Sequence, residues 1–338
     1  MTVPQGSEMR LSRDFLVTPA TAGVVRLGEG VVSSEPLPCA VSIGVYDGFH
    51  VGHASLLRSL VLDARARGLR AVAVTFDPDP DCVVAPFPAK KLMDVRDRLH
   101  ALATSGVDLV AVVPFTKEVA SLDHERFFER VLFPSLDVRA VHVGENFRLG
   151  AGGASTVDVI ESWGAGRGID VLGHRLVTDD GRAVSATRIR RLLEQGELAR
   201  ANEELGRPYF VRGVVRSGRG EGAGMGFPTA NVEVSAGAQV PADGVYAGYV
   251  LVGDEAWPAA VNVGLPPTFA LEPGSAHMEA NLIGFSGDVY GREVKVMFCE
   301  RLRASRKFES REDLVSTVLG DIERVRESYG SSARRCCL

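Results

Sequence analysis

A glycine-rich turn that follows an apolar strand constrains the fold of this chain more than any other stretch. Residues 41–53 read VSIGVYDGFHVGH. The alternating apolar residues predict a β-strand, and we expect a helix to open near Ala54. Gly44 and Gly48 let the backbone approach a ligand closely, while the first N–H groups of the helix and its dipole favour an anion. The stretch therefore predicts a phosphate-binding turn at the start of a βα unit.

Two histidines, His50 and His53, add side-chain donors at the same turn. A lone histidine in such a turn is more often structural, so a βα start with incidental histidines is the plain alternative. Here His-x-Gly-His follows Gly-x-x-Asp-Gly directly, a combination that we do not expect by chance. We therefore interpret both histidines as donors to a bound anion.

Apolar strands alternate with amphipathic helices from residue 41 to about residue 182. Further strands are predicted at 70–76, 107–113 and 138–143, with helices that begin after Asp94 and Asp123. This alternation predicts a Rossmann-like α/β domain, with a parallel sheet, right-handed crossovers and ligands at the carboxyl ends of the strands. Three polar turns, at 46–53, 77–80 and 144–147, all follow such strand ends.

The pattern changes after residue 206. Residues 185–206 predict two helices broken at Gly196, and the short strands beyond them alternate with Gly and Pro turns. We predict strands at 209–215, 244–252, 259–263, 277–283 and 293–302, then a terminal helix at about 311–327. This pattern favours a small antiparallel β-barrel. The predicted domains are 37–206 and 207–330, and residues 1–36 and 331–338 stay unassigned.

Composition limits the partners of the chain. Its 338 residues are enough for two domains, and the net charge of −5 provides no general attraction to nucleic acid or to an anionic membrane. The five cysteines show neither metal-ligand spacing nor a disulfide pattern, which favours a reducing, cytoplasmic location. We expect no signal peptide and no membrane span. A homo-oligomer is compatible with the sequence, which does not specify one.

The amino-terminal motifs resemble those of a known family. Residues 44–53 are similar to the ATP-binding signature of HxGH nucleotidyltransferases, in the form found in bacterial FAD synthetases. Three further segments are similar to motifs of that family, namely TFDPDP at 75–80, GENF at 144–147 and SATRIR at 185–190. The chain departs from the family at Asp79, where histidine is usual, and at Ala186, where a second serine is usual. Asp79 would either slow adenylylation or bind a metal.

The resemblance implies that FMN attacks the α-phosphorus of ATP to form FAD, with Mg²⁺ assisting. It places His50, His53 and Arg190 on the ATP phosphates and Asn146 on the nucleotide or flavin. The remaining implied ATP contacts are Gly44, Asp47, Gly48, Ser185 and Thr187. By itself, the segment 185–190 could equally be an ordinary helix cap.

A second signature lies in the carboxy-terminal half. GFPTAN at 226–231 resembles the signature of riboflavin kinases, and the similarity continues through residues 241–248, 262–269, 278–280, 288–291 and 306–308. Pro228 fixes the backbone so that Thr229 and Asn231 point the same way, as two residues of one extended segment would. The plain alternative is a turn with a buried threonine. A P-loop is excluded because no Gly-Lys-Ser/Thr occurs.

The kinase resemblance implies roles for single residues. It puts Thr229 and Asn231 on Mg²⁺ and makes Glu279 the general base for the riboflavin hydroxyl, although a solvated strand residue is the usual role of such a glutamate. The other implied contacts are Arg219 and Gly226 to ATP, and Phe227 and Phe269 to the flavin. Each phenylalanine taken singly is more often a core residue.

The combined interpretation is a bifunctional enzyme that makes FMN from riboflavin and then FAD from FMN, with ATP and Mg²⁺ in both steps. One alternative is a riboflavin kinase whose amino-terminal half is weakened. Another is a flavin-binding regulator without turnover. Residues that match both motifs argue against the regulator, and an assay of FMN with ATP separates the other two.

Overall fold

The computed structural model describes residues 19–28, 36–217, 225–264 and 276–335. The chain forms two compact units. The first unit comprises the described part of Pro19–Ala89 and Val95–Ala186, and the second comprises Lys90–Asp94 and the described part of Thr187–Leu338. The units thus divide after Ala186, whereas the sequence pattern predicts a domain boundary near residue 206. The domain limits 37–206 and 207–330 stay a prediction.

The first unit is an α/β domain. Its elements in chain order are β1 (Gly23–Arg26), β2 (Leu37–Ile43), α1 (Val51–Ala66), β3 (Arg70–Phe76), α2 (Pro80–Val84), α3 (Val95–Ala103), β4 (Leu109–Val113), α4 (Lys117–Ala120), α5 (His124–Phe127), β5 (Leu136–Gly144), α6 (Val157–Ala165), β6 (Asp170–His174), β7 (Thr178–Asp179) and β8 (Arg182–Ala183). A π-helical turn, Phe128–Leu132, continues α5.

Six of these strands form one parallel sheet in the order β1-β4-β3-β2-β5-β6. The predicted parallel sheet is therefore confirmed. Strand β1 was not predicted, because it lies in the segment left unassigned, and β6 was not predicted either. In β3 every residue after Arg70 is buried, as expected for a strand covered on both faces. The carboxyl ends of the neighbouring parallel strands β2 and β3 lie side by side at the same end of the sheet.

The second unit begins with two helices, α7 (Ala186–Gln195) and α8 (Leu198–Leu205). They are broken at Gly196, which has φ +75, and α8 ends at Gly206, which has φ +71. Glycine occupies this left-handed region without the steric cost that other residues bear. The predicted pair of helices and its break are confirmed.

The rest of the second unit is a β-barrel. Its strands are β9 (Tyr209–Arg216), β10 (Ala230–Val234), β11 (Gly244–Val252), β12 (Glu255–Val263), β13 (Ala276–Leu282) and β14 (Glu293–Ala304). They pair antiparallel in the order β11-β14-β9-β10-β13-β12, and β12 pairs with β11 to close the ring. Helix α9 (Arg311–Tyr329) and the short strand β15 (Arg334–Arg335) follow. The predicted barrel and terminal helix are confirmed, while β10 was not predicted.

The interior of the barrel is apolar. All nine residues of β11 are buried, and Ala260 of β12 packs with Ile322 and Val325 of α9 in one cluster. None of the helices in the described ranges combines the length and the apolar character that crossing a membrane requires.

Candidate functional site

The histidine turn has an unusual backbone. Tyr46 has φ 57, Phe49 has φ 40 and Gly48 has φ 75, so two residues with side chains occupy the left-handed region. Such conformations cost free energy and persist only when the surroundings enforce them. Here the Tyr46 hydroxyl donates to Ser42 Oγ at 2.9 Å, and a Cβ at Gly44 would meet the Tyr46 ring at 3.1 Å. Packing against Tyr46 therefore explains the glycine at position 44, and its contact with ATP stays a prediction.

His50 and His53 lie together where α1 begins. His50 caps the helix, and its Nδ1 accepts a hydrogen bond from His53 N at 3.4 Å. The two rings stack with their centroids 3.6 Å apart. A Cβ at Gly52 would approach the His50 ring at 3.1 Å, which explains the glycine between them. The helix starts at Val51 and not near Ala54, because His50 itself supplies the cap.

Burial determines the charge state of His53. Desolvation holds the pKa of His53 well below its ordinary value, and the nearby charges of His50 and Arg98 lower that pKa further. His53 is therefore neutral near pH 7 and acts as a hydrogen-bonding group. Its Nδ1 is buried and has no hydrogen-bond partner among the described residues.

The loop after β3 contains a buried ion pair. Arg98 of α3 is 2% exposed and donates from Nη1 to the carboxylate of Asp79, which is 7% exposed. The second Nη of Arg98 donates to the Phe76 carbonyl at 2.8 Å. The guanidinium thus offsets the negative charge of Asp79, the residue at which this chain departs from the family pattern.

Arg98 was not identified from the sequence. One signal was present, because Arg98, Ala101 and Leu102 have the i, i+3, i+4 spacing of one helix face, and all three are buried. A cation on the apolar face of a helix indicates a buried partner, and that partner is Asp79.

The other predicted adenylyl-transfer residues lie at the ends of elements. Asn146 is exposed directly after β5, and its Oδ1 lies 3.3 Å from the position of a Cβ on Gly144. Ser185 and Thr187 flank the first residue of α7. Arg190 lies one turn further, and its Nε donates to the Lys90 carbonyl at 2.6 Å. Asp47 and Gly48 are buried within the turn. The roles of these residues stay predictions.

The barrel brings the predicted kinase residues together. Asn231 of β10 is the register partner of Glu279 of β13. On the other side of β13, Glu279 pairs with Asn262 of β12, and on the other side of β10, Asn231 pairs with Arg216 of β9. Directly opposed residues share a face of the sheet. A row of four polar side chains therefore crosses four strands, and Thr229 lies just before β10.

Glu279 lies on the opposite face of β13 from its two neighbours in the sequence. Its neighbours Met278 and Ala280 are fully buried, whereas Glu279 is partly exposed. No sequence motif pointed to Asn281, whose Nδ2 donates to the Pro228 carbonyl at 2.7 Å. This bond ties the bend that contains Thr229 to β13.

The remaining kinase predictions have mixed outcomes. Phe227 is 7% exposed and packs with Ala247, Ile283 and Val325, as a core residue does, so its contact with a flavin stays a prediction. Gly226 has φ +90, and a Cβ there would meet no atom within 4 Å, so its backbone conformation is the reason for glycine. Arg219 and Phe269 lie outside the described residues.

Comparison with known proteins assigns a family to each half. The FAD synthetase family model matches residues 32–188, and the riboflavin kinase family model matches residues 205–329. Residues between these ranges, including most of α7 and α8, belong to neither match. A solved structure described as a macrolide-efflux protein from Streptococcus pneumoniae covers 90% of this chain and 98% of its own, with a TM-score of 0.79 and 28% identity.

Curated relatives span both halves. The bifunctional riboflavin kinase/FMN adenylyltransferase of Pseudomonas fluorescens is 32% identical over 297 residues, which is 88% of this chain and 95% of the relative. The protein of the same description from Escherichia coli strain K12 is 33% identical over 294 residues, which is 86% of this chain and 93% of the relative. With both family models and relatives of full length in agreement, the chain belongs to the bifunctional riboflavin kinase/FMN adenylyltransferase family.

Proposed function

We propose that this chain phosphorylates riboflavin to FMN in its carboxy-terminal half and adenylylates FMN to FAD in its amino-terminal half. ATP is the second substrate of both reactions. The observation that carries the proposal is that each half holds its own set of polar side chains suited to a nucleotide. His50 and His53 stack at the turn of the first unit, and Asn231 and Glu279 oppose each other in the second.

Adenylyl transfer requires positioning more than proton transfer. An oxygen of the FMN phosphate forms a bond to the α-phosphorus of ATP, the bond from that phosphorus to the bridging oxygen breaks, and pyrophosphate leaves. Because the nucleophile is already an anion, no general base is needed. In the proposed mechanism His50 and His53 donate hydrogen bonds to the phosphates, and Arg190 offsets the charge of the β- and γ-phosphates.

Phosphoryl transfer to riboflavin requires a base. The riboflavin 5′-hydroxyl loses its proton to Glu279 as its oxygen bonds to the γ-phosphorus of ATP, and ADP leaves. The partly exposed position of Glu279, beside Asn231 and Asn262, supports this role because substrate can reach the carboxylate. A hydroxyl, an amide oxygen and a carboxylate at one place are chemically suited to hold substrates through polar contacts.

The proposal includes Mg²⁺ on the nucleotide phosphates. Thr229 and Asn231 offer the hard oxygen donors that Mg²⁺ prefers, and they fit an ion that keeps most of its other ligands from phosphate and water. No group of three or more His, Cys, Asp or Glu suited to a metal occurs in the described ranges, so the proposal gives the remaining ligand positions to substrate phosphate and water. When bound, the ion would neutralise charge on the transferring phosphoryl group. We also propose a cytoplasmic enzyme that needs neither nucleic acid nor a membrane.

A kinase with a weakened amino-terminal half is the second candidate, favoured by Asp79 and Ala186. The buried pairing of Asp79 with Arg98 weakens that argument, since the carboxylate charge is offset before any phosphate arrives. The full proposal therefore has the stronger support.

Purified protein supplied with riboflavin, ATP and Mg²⁺ tests the proposal, with flavins resolved by chromatography over time. FMN should rise first and FAD should follow. A parallel reaction with FMN and ATP should release pyrophosphate. FMN that accumulates without FAD would establish the weakened-half alternative, and tight flavin binding without ATP consumption would establish a regulator.

A further inference from the structure

A buried arginine outside the motifs lies beside the histidine turn. The two Nη atoms of Arg98 are held by the Asp79 carboxylate and the Phe76 carbonyl. These two anchors fix the plane of the guanidinium, so the direction of its Nε–H is fixed as well. That Nε is buried and has no hydrogen-bond partner within the described part of the chain.

His53 presents a second buried nitrogen in the same neighbourhood. Its Nδ1 also has no hydrogen-bond partner in the described ranges, and the charge of Arg98 is near enough to act on the ring. The topology accounts for this proximity, because β2 and β3 are adjacent parallel strands and their carboxyl ends lead to the histidine turn and to the Asp79 loop.

Buried donors without acceptors are rare in native proteins, because each one loses its hydrogen bonds to water. Arg98 Nε and, in its Nδ1–H tautomer, His53 Nδ1 are two such donors at the carboxyl ends of adjacent strands, where an acceptor that arrives with a ligand would satisfy both. An oxyanion suits both, since it accepts from a guanidinium and from an imidazole at once.

We propose that Arg98 is a phosphate-binding residue of the adenylyl-transfer site, where its Nε–H and the Nδ1–H tautomer of His53 donate to phosphate oxygens of a bound substrate. This inference rests on the proposed adenylyl transfer. Its ligand is a phosphate group, which ATP or FMN can supply. Asp79 holds the guanidinium in place and offsets its charge until the phosphate binds.

The decisive variant is the double substitution Asp79→Asn with Arg98→Gln, which removes both charges and leaves no lone buried ion. It is compared with the wild type and with Asp79→Asn alone. For each protein, KM for ATP is measured at saturating FMN, and KM for FMN is measured at saturating ATP, from the rate of FAD formation. Circular dichroism and urea denaturation of the same samples check that the first unit is folded, and riboflavin phosphorylation normalises the amount of protein.

We expect the double variant to raise one KM by about ten- to a hundredfold, the range for loss of a hydrogen bond between charged groups, with a smaller change in kcat. A rise in KM for ATP identifies ATP as the source of the phosphate, and a rise in KM for FMN identifies FMN. Asp79→Asn alone should change the same KM less than the double variant does, because Arg98 remains and the asparagine side-chain oxygen can still accept from its Nη1.

If Arg98 served only to neutralise Asp79, neither KM would rise in the double variant. In that case the double variant, which needs no neutralisation, would keep both wild-type KM values, and the inference would be wrong while FAD formation still supported the proposed function. A wild-type protein that makes no FAD from FMN and ATP would instead overturn the proposed function itself.

Discussion

Asn231 and Glu279 face each other across neighbouring antiparallel strands of the barrel. Side chains at directly opposed positions have Cβ atoms about 5 Å apart, so the predicted metal ligand and the predicted base belong to one small site. Asn262 extends this site from the third strand. The closed barrel holds all three on one rigid face, which is the condition for positioning a substrate hydroxyl.

Replacing Glu279 with alanine should remove riboflavin phosphorylation and spare the other reaction. Loss of a general base lowers kcat by roughly 10²- to 10⁴-fold. FAD formation from supplied FMN should continue at the wild-type rate, since Glu279 lies in the barrel and is not among the residues proposed for adenylyl transfer. Chromatography of products from the two substrates measures both activities. Loss of both activities would show that the division of labour between the halves is wrong.

Replacing His53 with alanine should have the converse effect. Removal of one donor to the reacting phosphates should slow FAD formation by about 10²- to 10³-fold. FMN formation from riboflavin serves as the internal control and should not change. An equal fall in both rates would indicate a general folding defect. That result would contradict a specific role of His53 in FAD formation.

Gly196→Ala should destabilise the second unit more than Gly291→Ala does. Both glycines have positive φ, +75 and +71, so each alanine carries the backbone cost of about 1–2 kcal/mol. A Cβ at Gly196 would also collide with the Arg301 guanidinium at 2.0 Å, whereas nothing lies within 4 Å at Gly291.

Displacing Arg301 would break its hydrogen bond to the Asp243 carbonyl, at 3.0 Å, and should cost at least about 1 kcal/mol more. Urea denaturation of the two variants measures the difference in the free energy of unfolding. Equal values for the two variants would contradict the predicted collision.

The stability of the first unit should fall as the solution is acidified. His142 is 1% exposed, its Nε2 bonds the Asp63 carboxylate at 3.0 Å, and its Nδ1 bonds His174 at 2.9 Å. Burial lowers the pKa of His142 below its ordinary value of 6.5, although the hydrogen bond to Asp63 opposes that shift. The folded state therefore binds fewer protons than the unfolded state.

The contribution of His142 is complete above pH 6.5 and is lost as the pH falls below that value, with a slope of at most about 1.4 kcal/mol per pH unit. Urea denaturation at several pH values between 7.5 and 5 measures that slope. His142→Gln should flatten the curve, because glutamine does not titrate. An unchanged slope in the variant would assign the pH dependence to other groups.

Local sequence patterns predicted most elements of the fold. The alternation of apolar strands with helices predicted the parallel sheet, and the two helices that meet at Gly196 were predicted with their break. The patterns missed β1, β6 and β10. A strand such as Ala230–Val234 is short and gains its stability from partners on both sides, which are distant in the sequence.

The predicted site residues, like the strands, were those that a local sequence pattern identifies. His50, His53 and the bend at Thr229 were predicted because their motifs are contiguous, whereas the contacts of Arg98 and Asn281 were not predicted because each is made with a residue distant in the sequence. Arg98 belongs to no motif, and its ion pair with Asp79 is visible only in the folded structure.

The amino-acid order alone predicted an α/β half that carries a glycine-rich histidine turn and a barrel half that carries a second motif, because helical and strand periodicities and glycine turns are local properties. Tertiary structure alone decided that Glu279 lies between Asn231 and Asn262, and that the charge of Asp79 is offset by Arg98. Strand register and the partner of a buried charge depend on residues brought together by folding, and no local pattern encodes them.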